Sequence, residues 1–357
     1  MTWFRIVSPP DGQIPPLITS SAFIPAWWLR GPHRQTLFPS LCRRRVAPSL
    51  KRERIELPDG DFIDLDWSEQ SSGKVVLVLH GLEGSLESHY IGGLLTALAG
   101  DGYNAGLMYL RNCSEEQNRL ARSYHSGETG DLDFVVQHIL KKFPGQQLIV
   151  IGFSLGGNIL LKWLGEQKES SPLHSAIAIS VPFDLNSAAL NLEKGLSRIY
   201  QRHLLDKLRN SVRKKAVAHP PPVPLENLHE LQTFRQFDNR ITAPLHGFRD
   251  VDDYYTQSSS KQFLKHIRTP TLIIQAADDP FLPAEALPVE SELSPSVTLE
   301  LSSKGGHVGF ISGVNPLKPQ YWLEHRILRF LALKERLAGA TGSRAKTIAL
   351  EKCSYTK

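Results

Sequence analysis

The chain has 357 residues, of which 41% are hydrophobic and 22% charged. This composition is typical of a globular protein in water and excludes wholesale disorder. No apolar run reaches about 18 residues, so we expect no transmembrane helix. The first residues, MTWFRIVSPPDGQIPP, lack the apolar centre of a signal peptide, and the formal charge of +5 is modest. We therefore expect a cytoplasmic protein without a nucleic-acid partner.

Two features of the composition concern the surface and the redox state. The cysteines are odd in number and far apart, at Cys42, Cys113 and Cys353, which favours free thiols over disulfides or a metal site. Basic clusters at residues 43–45 and 51–54 are typical of a solvated surface. Weak peripheral contact with an acidic membrane face is the alternative for these clusters.

The first 67 residues contain two kinds of pattern. Residues 1–50 are rich in proline and tryptophan without a clear period, which indicates an arm packed on the main domain. From Arg54, apolar and polar residues alternate on both sides of Pro58-Asp59-Gly60. This alternation predicts a β-hairpin at an antiparallel edge of the sheet.

Apolar runs and helical stripes then alternate along the chain. The runs that predict buried strands lie at 74–79, 104–110, 147–151, 174–184, 269–276 and 297–301. Continuous apolar strands separated by helices are typical of a mostly parallel, doubly wound sheet with both faces covered.

The alternation is interrupted once, and this interruption sets the predicted domain boundaries. Residues 51–185 form the first part of an α/β core and residues 250–337 the second part. Between them, residues 186–249 are helical, basic and proline-containing, which predicts a helical cap whose basic residues form its solvated face. Residues 338–357 have no core pattern and are predicted to be a flexible tail.

The motif Gly152-Phe153-Ser154-Leu155-Gly156 joins the strand from Gln146 to a helix. A strand, a sharp turn carrying serine and a helix form a nucleophile elbow, and glycine fits where side chains would strike the neighbouring backbone. The pentapeptide also arises by chance in ordinary turns. An upstream oxyanion loop and a downstream acid and histidine are therefore needed to support it.

Candidates for each of these partners follow in the expected order. Asp279 lies in a turn after the penultimate strand, immediately before Pro280, and is the preferred acid, with Asp278 and Asp184 as alternatives. His307 follows the last strand in the loop Gly-Gly-His-Val-Gly-Phe and is the candidate base.

The backbone amides of Leu82, after His80-Gly81, and Leu155 are the candidate oxyanion donors. Such a set predicts two-step acyl transfer to water through an acyl-enzyme, without a metal or cofactor. The expected partner is a small acyl ester. The oligomeric state is not indicated.

Five segments together resemble the YheT-like branch of the α/β hydrolases, also called the AB hydrolase 4 family, over residues 20–335. They are Pro32-His33-Arg34-Gln35-Thr36-Leu37, the loop Arg111 to Asp131 with Tyr124-His125-Ser126-Gly127, the elbow Gly152 to Asn158, Pro244-Leu245-His246-Gly247-Phe248, and Gly305-Gly306-His307. The resemblance implies an α/β-hydrolase fold and a serine hydrolase triad at Ser154, Asp279 and His307. It also implies esterase, acylglycerol lipase or phospholipase activity on acyl lipids. The chain has Arg111-Asn112-Cys113 where the family often has Arg-Gly-Cys, so the role of this loop is left open.

Three other functions remain open. An acyltransferase would need the same triad with water excluded, and a peripheral lipase would add the basic clusters as a docking surface. A non-catalytic protein that binds acyl ligands would typically lack a member of the triad. Residues of the right type stand at all three positions, which disfavours the non-catalytic protein but does not separate the hydrolase from the acyltransferase.

Overall fold

The computed structural model describes residues 17–68 and 74–333. The predicted flexible tail, Cys353 and the first 16 residues of the predicted arm lie outside this range. Within it, Cys42 and Cys113 are free thiols.

A nine-stranded sheet forms the centre of the structure, in the order β1-β9-β8-β7-β6-β4-β5-β3-β2. All neighbouring strands are parallel except for β2 with β3 and β3 with β5. The strands are β1 Ile18–Ser20, β2 Leu50–Glu56, β3 Phe62–Ser68, β4 Val75–Leu79, β5 Asn104–Met108, β6 Leu148–Phe153, β7 Ser175–Ile179, β8 Thr271–Ala276 and β9 Val297–Ser302. The predicted parallel sheet with an antiparallel hairpin at its edge is confirmed.

Helices cover both faces of the sheet and its carboxyl edge. They are α1 Pro32–Cys42, α2 Ile91–Gly100, α3 Thr129–Lys142, α4 Leu155–Gln167, α5 Leu185–Leu192, α6 Ser197–Ala218, α7 Phe234–Phe237, α8 Ala243–Leu245 and α9 Val251–Ser258, followed by α10 over residues 322–333. A π-helical segment Asp238–Thr242 joins α7 to α8. Short 3₁₀ helices lie at Lys168–Ser170, Leu228–Glu230, Lys261–His266, Ala284–Ala286 and Glu290–Glu292.

Strand β4 shows why an unbroken apolar run belongs in this sheet. Successive side chains of a strand point to opposite faces. Leu77 and Leu79 pack in the layer that contains α3 and α4, whereas Val76 and Val78 pack in the layer that contains α2 and α10. All four side chains are fully buried, and each contributes roughly 1.5–3 kcal/mol by leaving water.

The arm joins the sheet in a way that its sequence did not indicate. Strand β1 pairs in parallel with β9 and extends the edge opposite to the hairpin. A further two-stranded antiparallel pair, β10 Ile311–Ser312 and β11 Gln320–Tyr321, lies beyond β9. These strands have two or three residues, too few for a recognisable period.

The helical stretch between the insertion and β8 is divided in two. Helix α9 ends at Ser258, and a 3₁₀ helix begins at Lys261. The side chain of Asn158 donates to the Ser258 carbonyl at 2.8 Å and accepts from the Ser260 amide at 3.0 Å. These two hydrogen bonds of a side chain of α4 stabilise the break between the two helices.

The segment of residues 186–249, called here the helical insertion, packs beside the carboxyl ends of the strands. Its apolar residues form a separate cluster that includes Leu192, Leu205, Phe237 and Ile241. The expectation that its basic residues are solvated is right for most of them and wrong for two. Arg209 and Lys215 are 5% and 4% exposed, because α6 lies between the insertion's own apolar cluster and the loop 111–124. In the described part of the chain, no helix is both long and apolar enough to cross a membrane.

Candidate active site

Ser154 lies between the end of β6 and the first residue of α4, as the elbow motif predicts. Its backbone has φ 50° and ψ −118°, a conformation that L-residues rarely adopt. The Ser154 amide donates to the Ile179 carbonyl of β7 at 2.8 Å. The neighbouring strand therefore stabilises a turn that the local backbone disfavours.

The flanking glycines fit the turn for a physical reason. A Cβ atom on Gly152 would lie 2.5 Å from the Gly156 carbonyl oxygen, and one on Gly156 would lie 2.5 Å from the His80 carbonyl oxygen. Both contacts are with backbone, which cannot move aside as the end of a side chain can. Glycine is thus required at both positions by packing of β6 against α4 and of α4 against the end of β4.

The structure brings Ser154, His307 and Asp279 together. His307 Nε2 lies 2.9 Å from Ser154 Oγ, and His307 Nδ1 lies 2.9 Å from Asp279 Oδ2. In the tautomer that this arrangement requires, Nδ1–H donates to the carboxylate and Nε2 accepts from the serine hydroxyl. The three residues come from the ends of β6 and β8 and from the loop after β9, which meet at the carboxyl edge of the sheet.

Asp279 is held from several sides. The Phe281 amide donates to Oδ1 at 2.8 Å, and the Gln275 side chain donates to Oδ2 at 3.2 Å. The Phe281 ring stacks on the His307 imidazole with 3.9 Å between centroids and 2° between planes. These contacts orient the carboxylate and the imidazole before any substrate binds.

The two alternative acids have other partners. Asp278 accepts from the Gly306 amide at 3.0 Å and so supports the loop that carries His307. Asp184 caps α5 by accepting from the Ser187 amide at 2.9 Å. Among the described residues, the carboxylate that contacts His307 is that of Asp279.

Leu82 and Leu155, the candidate oxyanion donors, both line the cavity beside Ser154. Among the described residues, neither amide donates to a protein acceptor. The amides on both sides of Leu82 are fixed by tyrosines, since Gly81 donates to the Tyr90 hydroxyl at 3.0 Å and Glu83 to the Tyr124 hydroxyl at 2.8 Å. The loop is thereby rigid, and two N–H groups remain for a ligand oxygen.

His80 has a structural position below this loop. It is fully buried, with Nδ1 2.7 Å from the Gly81 carbonyl and Nε2 3.1 Å from the Leu110 amide. Burial lowers the pKa of His80 to about 4, so the imidazole is neutral near pH 7. A neutral ring that donates through Nδ1 and accepts through Nε2 links the loop to β5.

A cavity of about 1220 Å³, counted out to its open mouth, lies between the strand ends and the helical insertion. Most of its lining is apolar, with Leu204, Leu208 and Phe237 among the side chains from the insertion. Its polar lining includes His125 and His246, whose ring centroids are 4.7 Å apart. Burial lowers the pKa of each histidine to about 3, so both are neutral at physiological pH.

The loop after β5 contributes to the cavity wall, because it lies at the carboxyl edge of the sheet. It is anchored by Arg111, which is 2% exposed. Arg111 contacts Asp131 at 2.7 Å, Asp59 at 2.8 Å and Asp61 at 3.1 Å. The unassigned loop Arg111-Asn112-Cys113 therefore begins with a buried ion-pair network that ties it to α3 and the hairpin.

Comparison with known proteins identifies the family of the chain. A family model described as the alpha/beta hydrolase fold matches residues 74–314. The YheT protein of Escherichia coli is 43% identical over 315 residues, which cover 87% of this chain and 92% of that protein. The chain belongs to the α/β hydrolase family, in its YheT-like branch.

More distant members of the family share most of the chain as well. Phospholipase ABHD3 of Mus musculus is 30% identical, with 86% of this chain and 77% of that protein covered. Monoacylglycerol lipase of Saccharomyces cerevisiae is 31% identical over 72% of this chain and 59% of that protein. The solved esterase Pf2001 of Pyrococcus furiosus has a TM-score of 0.54 at 19% identity, covering 81% and 92% of the two chains, and supports the fold alone.

Several residues that support the site were not identified from the sequence. Thr36 of α1 accepts from the His307 amide at 2.9 Å, and Gln35 bonds to both backbone groups of Ile311. Tyr90 and Tyr124 hold the loop at Leu82. The segment containing Gln35 and Thr36 belongs to one of the family motifs, but its contact with a loop some 270 residues away has no signal in the sequence.

Proposed function

We propose that the protein is a serine hydrolase that cleaves carboxylic esters through Ser154, His307 and Asp279. The observation that carries the proposal is the continuous hydrogen-bond chain from Ser154 Oγ through both ring nitrogens of His307 to Asp279. A serine hydroxyl needs such a base to act as a nucleophile near neutral pH, and the base needs a partner that fixes its tautomer.

In the proposed reaction, Ser154 Oγ attacks the ester carbonyl while His307 Nε2 takes the hydroxyl proton. Asp279 stabilises the imidazolium that forms. The Leu82 and Leu155 amides donate to the oxyanion of the tetrahedral intermediate. His307 then gives the proton to the leaving alcohol, and a water molecule, activated in the same way, cleaves the acyl-enzyme.

The cavity supports acyl substrates with a substantial apolar part. Leucine and phenylalanine side chains from the helical insertion line it, and an alkyl chain gains roughly 0.8 kcal/mol for each CH₂ that it buries there. We propose that the insertion is a cap that selects the acyl group. Relatives named phospholipase and monoacylglycerol lipase support acyl lipids as the substrate class.

A fluorophosphonate probe tests the proposal directly. Wild-type protein should be labelled, and Ser154→Ala should not be labelled while it retains the wild-type circular dichroism spectrum and melting temperature. A panel of p-nitrophenyl esters from acetate to palmitate then measures how the cavity discriminates between acyl lengths. Absence of labelling in folded wild-type protein would refute an activated serine and favour a protein that binds acyl ligands without cleaving them.

A further inference from the structure

Lys215 is a buried cation on the wall of the cavity that contains Ser154. It lies in the last turn of α6 and is 4% exposed. Ser154 and several side chains of α6 line the same cavity. The expectation of a solvated basic face therefore fails at the position where charge would most affect a ligand.

The partners of Lys215 are neutral. Its Nζ donates to the Asn118 carbonyl and to Asn112 Oδ1, the latter at 3.1 Å. No carboxylate among the described residues lies within 4 Å of it. An ammonium group has three N–H donors, and the protein satisfies two of them. The nearby carboxylate of Asp61 acts on the charge through space but is itself paired with Arg111.

The other buried cations show how unusual this is in the described chain. Of the three Lys and Arg side chains classed as buried, Arg111 contacts three carboxylates and Arg209 contacts Asp206 at 2.8 Å. Only Lys215 lacks such a partner. Burial of a charge without a hydrogen-bonded counter-ion is unfavourable, and desolvation lowers the pKa of Lys215 although the charge of Asp61 opposes this shift.

The side chains of α6 change in character between the start of the helix and Lys215. Tyr200, near the start of the helix, lies 5.2 Å from the Phe281 ring, which itself stacks on His307. Lys215 is 15 residues later, about 22 Å further along the helix axis at 1.5 Å per residue. Between these ends, Leu204 and Leu208 line the cavity. Along α6, the side chains thus change from a ring beside Phe281 through an apolar stretch to a cation.

Glu83 limits where an anion can lie. Its carboxylate also borders the cavity and accepts from the Tyr124 hydroxyl at 2.8 Å and from the Ser211 hydroxyl, one helical turn before Lys215. Its charge repels an anion on that turn. The favourable place for a negative group is therefore beyond Ser211, at Lys215.

We propose that Lys215 binds an anionic group, a carboxylate or a phosphate, carried by an amphiphilic substrate whose apolar chain lies along Leu204 and Leu208. The anion would accept the third N–H of the ammonium and neutralise its charge. That the ligand is a substrate rests on the proposed hydrolase function. Binding of the anion does not rest on it and can be measured separately.

The test is calorimetric titration of wild-type protein, Lys215→Gln and Lys215→Arg with decanoate, decyl phosphate and decanol, each below its micelle concentration. None of these ligands is a carboxylic ester, so the result does not depend on Ser154. In wild type, the anions should bind more tightly than decanol. Lys215→Gln should weaken the binding of at least one anion by about tenfold or more and that of decanol by less than about twofold.

Two controls make the result specific. Lys214→Gln removes the same charge from the adjacent, exposed position of α6 and should leave all three affinities near those of wild type. Lys215→Arg keeps a charge and should retain the preference for anions, which distinguishes loss of charge from misfolding. Hydrolysis of neutral p-nitrophenyl butyrate, measured in parallel, reports separately whether the proposed hydrolase function holds.

The outcomes separate the two sources of the anion. Loss of decanoate affinity alone indicates a carboxylate, and loss of decyl phosphate affinity alone indicates a phosphate such as that of a lipid headgroup. Equal anion affinities for folded Lys215→Gln and wild type would overturn the proposal. It would also be overturned if Lys214→Gln weakened anion binding as much as Lys215→Gln, because the effect would then be a general attraction by the basic helix.

Discussion

The carboxyl edge of the sheet and the helical insertion lie on opposite sides of one cavity, but they differ in how their polar groups are held. At the sheet edge, Asp279 has an imidazole, an amide and an amide side chain as partners, and backbone contacts exclude any side chain at Gly152 and Gly156. In the insertion, buried Lys215 has only neutral partners. The triad at the sheet edge therefore has its hydrogen-bond partners without a ligand, whereas the ammonium group in the insertion has an N–H donor that a ligand can use.

This difference suggests a division of labour between chemistry and selection. Groups that must hold one geometry during a reaction are best placed on rigid strand ends, with their rotamers fixed by further hydrogen bonds. Groups that select a substrate are best placed where they have donors or charges without partners. Only a ligand that supplies those partners then binds tightly. The predictions below test the two regions separately.

The largest expected effect concerns the two adjacent aspartates. Asp279→Asn should lower kcat by about 10⁴-fold, because the amide disfavours the tautomer of His307 that accepts from Ser154. Asp278→Asn should retain activity within about tenfold of wild type, since an amide oxygen can still accept from the Gly306 amide. Steady-state kinetics with p-nitrophenyl butyrate measure both, and an equal loss in the two variants would contradict the assignment of the acid.

A second prediction concerns the rigidity of the sheet edge. Gly156→Ala should lower the free energy of unfolding by about 3 kcal/mol, because the new methyl group meets the carbonyl oxygens of His80 and Leu79. Gly100→Ala is the matched control, since space at that helix end is open and alanine is the better helix former. Urea denaturation should show the control to be as stable as wild type or more stable.

A third prediction uses the titration of Asp238, in the insertion. Burial raises its pKa to about 6 from an ordinary value of 3.8, despite hydroxyl donors from Thr242 and Tyr255. The folded state thus holds the proton more tightly than the unfolded state, so the contribution to stability is present below about pH 4. It is lost as the pH rises through about 6, by roughly 3 kcal/mol in all.

Asp238→Asn cannot ionise, and its stability should fall less than that of wild type between pH 4 and pH 7. Urea denaturation across this range measures the two slopes. Asp101→Asn makes the same substitution at an exposed position outside the insertion and is the control variant. If Asp238→Asn and wild type have parallel profiles, the carboxyl group does not titrate as described.

The smallest effect concerns backbone strain at the elbow. Ser154→Gly should be more stable than Ser154→Ala by about 1 kcal/mol, because glycine adopts φ 50° without the clash of a Cβ atom. Both variants should be inactive. Thermal unfolding compares them, and equal melting temperatures would mean that the neighbouring strand relieves the strain at this position.

Local patterns were enough to predict much of the fold. The elbow turn, the continuous apolar strands and the hairpin around Pro58-Asp59-Gly60 are all short-range features, each carried by neighbouring residues. The order of the motifs along the chain also singled out Ser154, Asp279 and His307, which the structure brings together. The preference for Asp279 over Asp278 rested on its position immediately before Pro280.

Tertiary contacts decided the rest, because they join residues whose separation along the chain carries no periodic signal. The pairing of β1 with β9 and the support of His307 by Thr36 link the arm to the far end of the core. The helical pattern of the sequence predicted that all basic residues of α6 face solvent. Only the packing of that helix against the loop 111–124 removed Lys215 from water and placed it beside the cavity. The sequence by itself determined the strands and the order of the reacting groups, whereas the burial of individual charges was decided by which surfaces meet in three dimensions.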